Sequence, residues 1–417
     1  MQRKNNFGFI IFRFSLYLGI ILAVFYFRFG NGLILKNFDF QSFYMAGKAI
    51  EQGLNPYDTE ELNSSELKIY VEKEVAESNV FKHQKQPFNH TYPYVYPPGL
   101  SIILSQFDFY LTRELWAIIS LLLLAISGII LEQLFSTLLA RWKATILSIL
   151  VIVATPLLYT IYAGQIEAIS FLIGLLILNS IIKNTNYSSG SKNKINTDLL
   201  SGLLAGVFLF LKPHLFFWLF LIPLGNRKFI YSFIISAILS NLIFFLYSPE
   251  SFFQFLEFIT KGANVKGLTP ITNELNGSLT ALIALLFENN SKLIALIIDF
   301  SYLLLSAFFI YGINTQIGLK KTLPLICLVL SVSFMLFTPY FWMQHIIYLV
   351  FPIIVIVLFY QGEESRKSYD YYILVSTLLC SLAIQLLSNN IPHISLLNIP
   401  LLIFSSIFML LTVKRIT

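Results

Sequence analysis

The chain has 417 residues, 56% hydrophobic and 12% charged, with a mean hydropathy of +0.73. Soluble domains carry about 25% charged residues, so the composition excludes a water-soluble globular protein and points to a polytopic membrane protein. The net charge of +6 is no nucleic-acid signature, because lysines and arginines fall in the short connections between apolar runs. The two cysteines, Cys327 and Cys380, lie inside apolar runs and point to neither a disulfide framework nor a metal site.

Arg3 and Lys4 precede an apolar stretch that Arg13 interrupts, with no small-residue cleavage site after it. This reads as an uncleaved first span, Phe9 to Phe27, entered from the cytoplasm. Residues 28–96 form the longest polar stretch, on the outer side. Its first part, Gln41 to Gln52, has helical character. Gly53-Leu54-Asn55-Pro56-Tyr57-Asp58 is a turn, and Glu60 to Ser78 is charged and helical. Tyr92-Pro93-Tyr94-Val95-Tyr96-Pro97-Pro98-Gly99 is too rich in proline for regular helix. Leu100 to Tyr110 is too short to span, since about 20 residues are needed; it is re-entrant or interfacial.

The next spans are Leu115 to Phe135, a run ending near Tyr162, and a return to Lys183, which leaves Gly164-Gln165-Ile166-Glu167 facing outward. Leu199 to Gly225 has basic flanks at both ends, Lys192/Lys194 and Arg227/Lys228, with Lys212-Pro213-His214 in its middle. A pair of short helices with Lys212 at the tip satisfies both facts. Residues 229–247 cross again, and 248–291 form a second long outer loop containing Asn276. Spans follow at Leu293–Tyr311, Leu323–Phe337, Ile346–Tyr360, Tyr371–Leu387 and Leu396–Val413. The positive-inside rule then gives about twelve crossings with both ends cytoplasmic. No repeat and no soluble domain is visible, so residues 1–417 read as one transmembrane domain.

This topology gathers Asp39, Tyr44, Tyr57, Tyr96, Gln165, Glu167, Lys212, His214, Asn276 and His345 on the outer side. Asp39, the first acidic residue, is either a solvated loop residue ending a helix or a general base at the lip of a cavity. A lysine at mid-span costs about 2.5–3.5 kcal/mol; Lys212 is a snorkelling residue or a ligand for a lipid phosphate. His345 is an interfacial histidine, a proton donor or a phosphate contact. Glu167 reads as a helix-start acid, Gln165 as a hydrogen-bonding loop residue, and Tyr94 and Tyr96 as a packed loop or a sugar platform. Asn276-Gly277-Ser278 also has the form of an N-glycosylation sequon. There is no Gly-rich phosphate loop, Cys/His cluster or nucleophile elbow.

Taken in order, Asp39 with Tyr44, Gly53-x-Asn55-Pro56-Tyr57, Tyr96-Pro97-Pro98, Gly164-Gln165, Lys212-Pro213, Asn276-x-Ser278 and His345 resemble glycosyltransferase family 87, over about residues 37–352. That family includes the mycobacterial polyprenol-phosphate-mannose α-1,2-mannosyltransferase. The resemblance implies an all-α GT-C bundle with a long first extracytoplasmic loop. It also implies an inner (plasma) membrane location and a polyprenyl-phosphate sugar donor used on the extracytoplasmic face.

It further implies Asp39 as general base and Lys212 and His345 at the donor phosphate. Tyr44, Tyr57, Tyr96, Gln165, Glu167 and Asn276 are then expected around sugar and acceptor, a glycan or glycolipid hydroxyl, and no cofactor or metal is called for. The sequence departs from the family at Glu167, where asparagine is usual, and in the charged stretch 60–90; both bear on the acceptor. The rival readings are a flippase or transporter of lipid-linked saccharides, a polysaccharide polymerase or ligase, and a non-catalytic scaffold.

Overall fold

The computed structural model describes residues 7–29, 38–77, 94–136, 140–153, 155–186, 194–211, 227–261 and 291–317, with isolated positions between 283 and 333 and at 403 and 407. No strand occurs among the described residues. The first two helices are α1 (Phe7–Phe29) and α2 (Phe38–Glu51), followed by the short surface helices α3 (Thr59–Leu62) and α4 (Ser65–Glu77). Then come α5 (Pro98–Ser105), α6 (Phe109–Phe135), α7 (Arg141–Ile152), α8 (Thr155–Ala163), α9 (Glu167–Asn186), α10 (Lys194–Leu211), α11 (Arg227–Tyr247), α12 (Pro249–Lys261) and α13 (Ser291–Ile317).

Five helical stretches among the described residues are long and apolar enough to cross a membrane: Gly8–Phe27, Phe109–Phe135, Arg141–Ala163, Arg227–Tyr247 and Leu296–Gln316. The protein is therefore a membrane protein, all-helical among its described residues. Of the span expected at 323–337 only 325, 326 and 328–333 are described, all helical; those expected at 346–360 and 371–387, nearly all of 396–413, and the tip at Lys212 lie outside the described residues.

Local chemistry sets the helix boundaries on the long polar stretch. The Asn55 side chain accepts from the Tyr57 amide at 3.0 Å and closes a turn, which Gly53 enters with a φ of +71°. Asp58 caps α3 by accepting from the Glu60 amide at 2.8 Å. The proline segment differs from the expectation at its end. Pro98 opens α5 rather than preventing a helix, because a proline in the first turn has no hydrogen bond to lose. Gln106 to Asp108 then make a corner, and Asp108 caps α6 by accepting from the Leu111 amide at 2.9 Å.

Two apolar clusters divide the described residues. The larger lies among the long helices and includes Tyr17, Ile21, Leu124, Leu131, Val151, Leu158, Phe171 and Phe208. The smaller joins α2, α4, α5 and the start of α6 around Phe40, Phe43, Tyr44, Leu67, Tyr94, Phe109 and Trp116. Within it α2 crosses α5 at close range: a Cβ on Gly47 would collide with the Ser101 carbonyl and the Ser105 side chain.

Antiparallel packing of α1 and α6 puts Arg13 against Glu132. The Tyr17 hydroxyl donates to the same carboxylate at 2.9 Å, and Arg141 approaches it at 3.8 Å. α10 and α11 run parallel along a seam of small residues. Gly202 meets Phe229 and Ser232, and Gly206 meets Phe233, Ser236 and Ala237. Small residues four apart let backbones approach without side-chain cost, and Ser236 donates across the seam to the Leu203 carbonyl at 2.7 Å. Parallel packing places the starts of α10 and α11, at Lys194 and Arg227, at the same end.

Candidate functional site

The elbow between α8 and α9 positions the first element of the site. α8 ends in a Schellman motif: Gly164 has φ +75°, its amide donates to Ile161 at 3.2 Å, and the Gln165 amide donates to Thr160 at 2.8 Å. Only glycine takes this left-handed conformation without a Cβ clash. The Trp116 indole, from α6, donates to the Gly164 carbonyl at 3.1 Å. The elbow thus fixes the backbone from which the buried Gln165 side chain projects.

Gln165 reaches Asp39, in the first turn of α2. Its Nε2 donates to Asp39 Oδ2, while its Oε1 accepts from the Tyr96 hydroxyl at 2.9 Å. The Tyr96 backbone carbonyl in turn accepts from the Tyr57 hydroxyl at 2.9 Å. Four residues expected at the site on sequence grounds, Asp39, Gln165, Tyr96 and Tyr57, therefore form one hydrogen-bonded chain across four separate segments. Asp39 is partly buried, and its place in the first turn of α2 suits the positive end of the helix dipole.

Aromatic rings brace this chain. Phe43, one turn after Asp39, lies on Tyr96 with centroids 4.7 Å apart. Tyr57 packs on Tyr94 at 5.5 Å and on Phe258 of α12 at 5.2 Å, the latter stacked. Burial, and secondarily its neighbour Tyr94, pushes the Tyr57 hydroxyl well above the usual tyrosine range. Burial does the same to Tyr94, whose hydroxyl donates to the Pro97 carbonyl at 2.5 Å. Both phenols are thus held neutral as donors.

Tyr44 is placed differently. It is fully buried against Phe109, and its hydroxyl donates to the Phe107 carbonyl at 3.2 Å, outside the chain that ends at Asp39. Glu167 is fully buried in the first turn of α9, two residues beyond Gln165. Lys212, His214, Asn276 and His345 lie outside the described residues.

Sequence reasoning passed over Trp116 and Phe43. The signal for Trp116 was present: an indole within an apolar run needs a partner for its N–H. It also passed over Asp299, an acid inside α13 that is 6% exposed and accepts from Ser333 at 3.0 Å. An ionisable residue within a span is itself a signal.

The sequence model of Glycosyltransferase family 87 matches residues 94–384. The match contains Tyr96, Gln165, Glu167, Lys212, Asn276 and His345; Asp39, Tyr44 and Tyr57 precede it. No curated protein and no solved structure matches the chain. With more than half of its length matched, and with helices of membrane-crossing length, the chain belongs to glycosyltransferase family 87 and is a membrane glycosyltransferase.

Proposed function

We propose that the protein transfers a hexose, with mannose the first candidate, from a polyprenyl-phosphate sugar to a hydroxyl of a glycan or glycolipid. The reaction takes place on the extracytoplasmic face of the plasma membrane, in a bundle of about twelve crossings. The observation that carries this reading is the Asp39 carboxylate, gripped by Gln165 from inside the family-matched region. A carboxylate oriented in this way, at the start of a helix that follows the first span, suits a general base better than a solvated loop acid.

The step is a single inverting displacement. The acceptor oxygen bonds to the anomeric carbon as its proton passes to Asp39. The bond from that carbon to the phosphate oxygen breaks, and its electron pair stays on the lipid phosphate. Lys212 and His345 are assigned to the phosphate, where a fixed cation and an imidazole N–H would stabilise the charge that develops on departure. Tyr44, Glu167 and Asn276 are assigned to the surroundings of sugar and acceptor. No step requires a metal or cofactor.

The test uses full-length protein in nanodiscs, with polyprenyl-phosphate-mannose as donor and an alkyl α-mannoside as acceptor. Asp39→Asn should lower turnover by at least about 100-fold while donor binding persists, and Lys212→Ala should weaken donor binding. Wild-type turnover in Asp39→Asn would remove the base assignment. Translocation of the lipid-linked sugar without transfer, in both wild type and Asp39→Asn, would favour a flippase.

A further inference from the structure

We propose that Gln165 is a positioning residue for Asp39, and that Tyr96, anchored by Tyr57, sets which way the Gln165 amide faces. This rests on the reading of Asp39 as general base, and it gives Gln165 and Tyr96 a role behind the reacting groups rather than against the sugar.

Donors and acceptors fix the polarity of this chain. An ionised carboxylate only accepts hydrogen bonds, so the Gln165 group facing Asp39 must be the NH₂. A carboxamide has one donor end and one acceptor end, so the carbonyl then faces Tyr96, whose hydroxyl must donate. The observed pairs have this polarity, Tyr96 Oη to Gln165 Oε1 at 2.9 Å and Gln165 Nε2 to Asp39 Oδ2. Without Tyr96 the amide could turn over and present its oxygen to the carboxylate, a repulsive pairing that would swing Asp39 away.

Each link is fixed from behind. The Tyr96 main chain is held by the Tyr57 hydroxyl at 2.9 Å, and its ring lies on Phe43, 4.7 Å away and four residues beyond Asp39. Gln165 is 4% exposed, and its backbone is pinned by the elbow and by Trp116. The arrangement holds one carboxylate oxygen and thereby orients the carboxylate as a whole, as second-sphere hydrogen bonds orient catalytic groups generally.

Two variants test it, each with the ring or chain length preserved. Tyr96→Phe keeps the tilted ring contact with Phe43 and removes only the hydroxyl; Gln165→Met keeps the length and removes both polar ends. In nanodiscs, with polyprenyl-phosphate-mannose and the alkyl α-mannoside, kcat should fall about tenfold in Tyr96→Phe and about 100-fold in Gln165→Met, with donor KM within about twofold of wild type. Independently of turnover, the Asp39 carboxylate infrared bands, assigned by difference from Asp39→Asn, should shift in both variants.

If Asp39→Asn is inactive while both variants keep the wild-type kcat and bands, the positioning role is overturned and the base assignment stands. If kcat is kept and donor KM rises instead, Gln165 and Tyr96 bind substrate, and the proposal is likewise overturned. Full turnover in Asp39→Asn removes the base assignment and this inference with it.

Discussion

The Trp116 indole donates to the carbonyl of Gly164 at 3.1 Å, one residue before the glutamine that holds Asp39. This ties the orientation of the acid on α2 to a tryptophan within α6, through a turn that only a left-handed residue can make.

That elbow has a direct mutational consequence. Gly164→Ala forces a Cβ into φ +75° and should cost about 1 kcal/mol or more. Gly164→Asn, which tolerates this conformation better, should cost less. Trp116→Phe leaves the carbonyl without its donor and should cost about 1 kcal/mol. Thermal unfolding in detergent measures the stability order, and transferase turnover should fall in the same order because Gln165 moves with the turn.

The buried tyrosines predict an alkaline weakness. Tyr57 and Tyr94 are held neutral above the usual tyrosine range, whereas in the unfolded chain both ionise near about pH 10. Between those points the folded protein holds the extra protons, so stability is intact below about pH 10 and declines as the pH rises, by at most about 1.4 kcal/mol per pH unit per tyrosine. Tyr57→Phe should flatten the decline. Melting temperature followed across that range, with tyrosinate absorbance alongside, measures it; an unchanged slope in Tyr57→Phe would contradict the assignment.

At the other end of α6, Glu132 receives Arg13 and Tyr17. The two charged side chains are 14% and 5% exposed, so removing Glu132 leaves Arg13 beside Arg141 without their shared carboxylate. Glu132→Ala should cost about 3–5 kcal/mol, while the joint replacement Arg13→Met with Glu132→Leu should recover most of it. Equal melting temperatures for Glu132→Ala and wild type would show that the pair carries no net energy.

The long helices were legible in the sequence because hydropathy and basic flanks are local signals. α1, α6, α11 and α13 fall where the apolar runs lie, and the Lys194 and Arg227 ends of α10 and α11 share one end as the charge pattern requires. The turn at Gly53 and the surface helices after it were equally readable from their own residues. The seam of Gly202, Gly206, Ser232 and Ser236 was written in the spacing but masked by the apolar residues around it.

The site was legible as a set of residues and not as an arrangement. Asp39 and Gln165 stand 126 positions apart, and nothing local to either names the other. Their pairing depends on the angle between α2 and the α8–α9 elbow, which is set by side-chain packing in the smaller cluster. The residues around Gln165 read only as a hydrogen-bonding loop; that its partners are the acid and a tyrosine emerges from the fold alone.

α6 carries Trp116 near its beginning and Glu132 near its finish, sixteen positions later, a rise of about 24 Å at 1.5 Å per residue. One unbroken rod therefore acts as a ruler between the elbow that aims the acid and the ionic staple at the opposite end. Its length is set by covalent geometry, so the two ends cannot be tuned separately. Adding a single residue midway would turn one end by about 100° relative to the other, and either the indole or the carboxylate would then face the wrong neighbour.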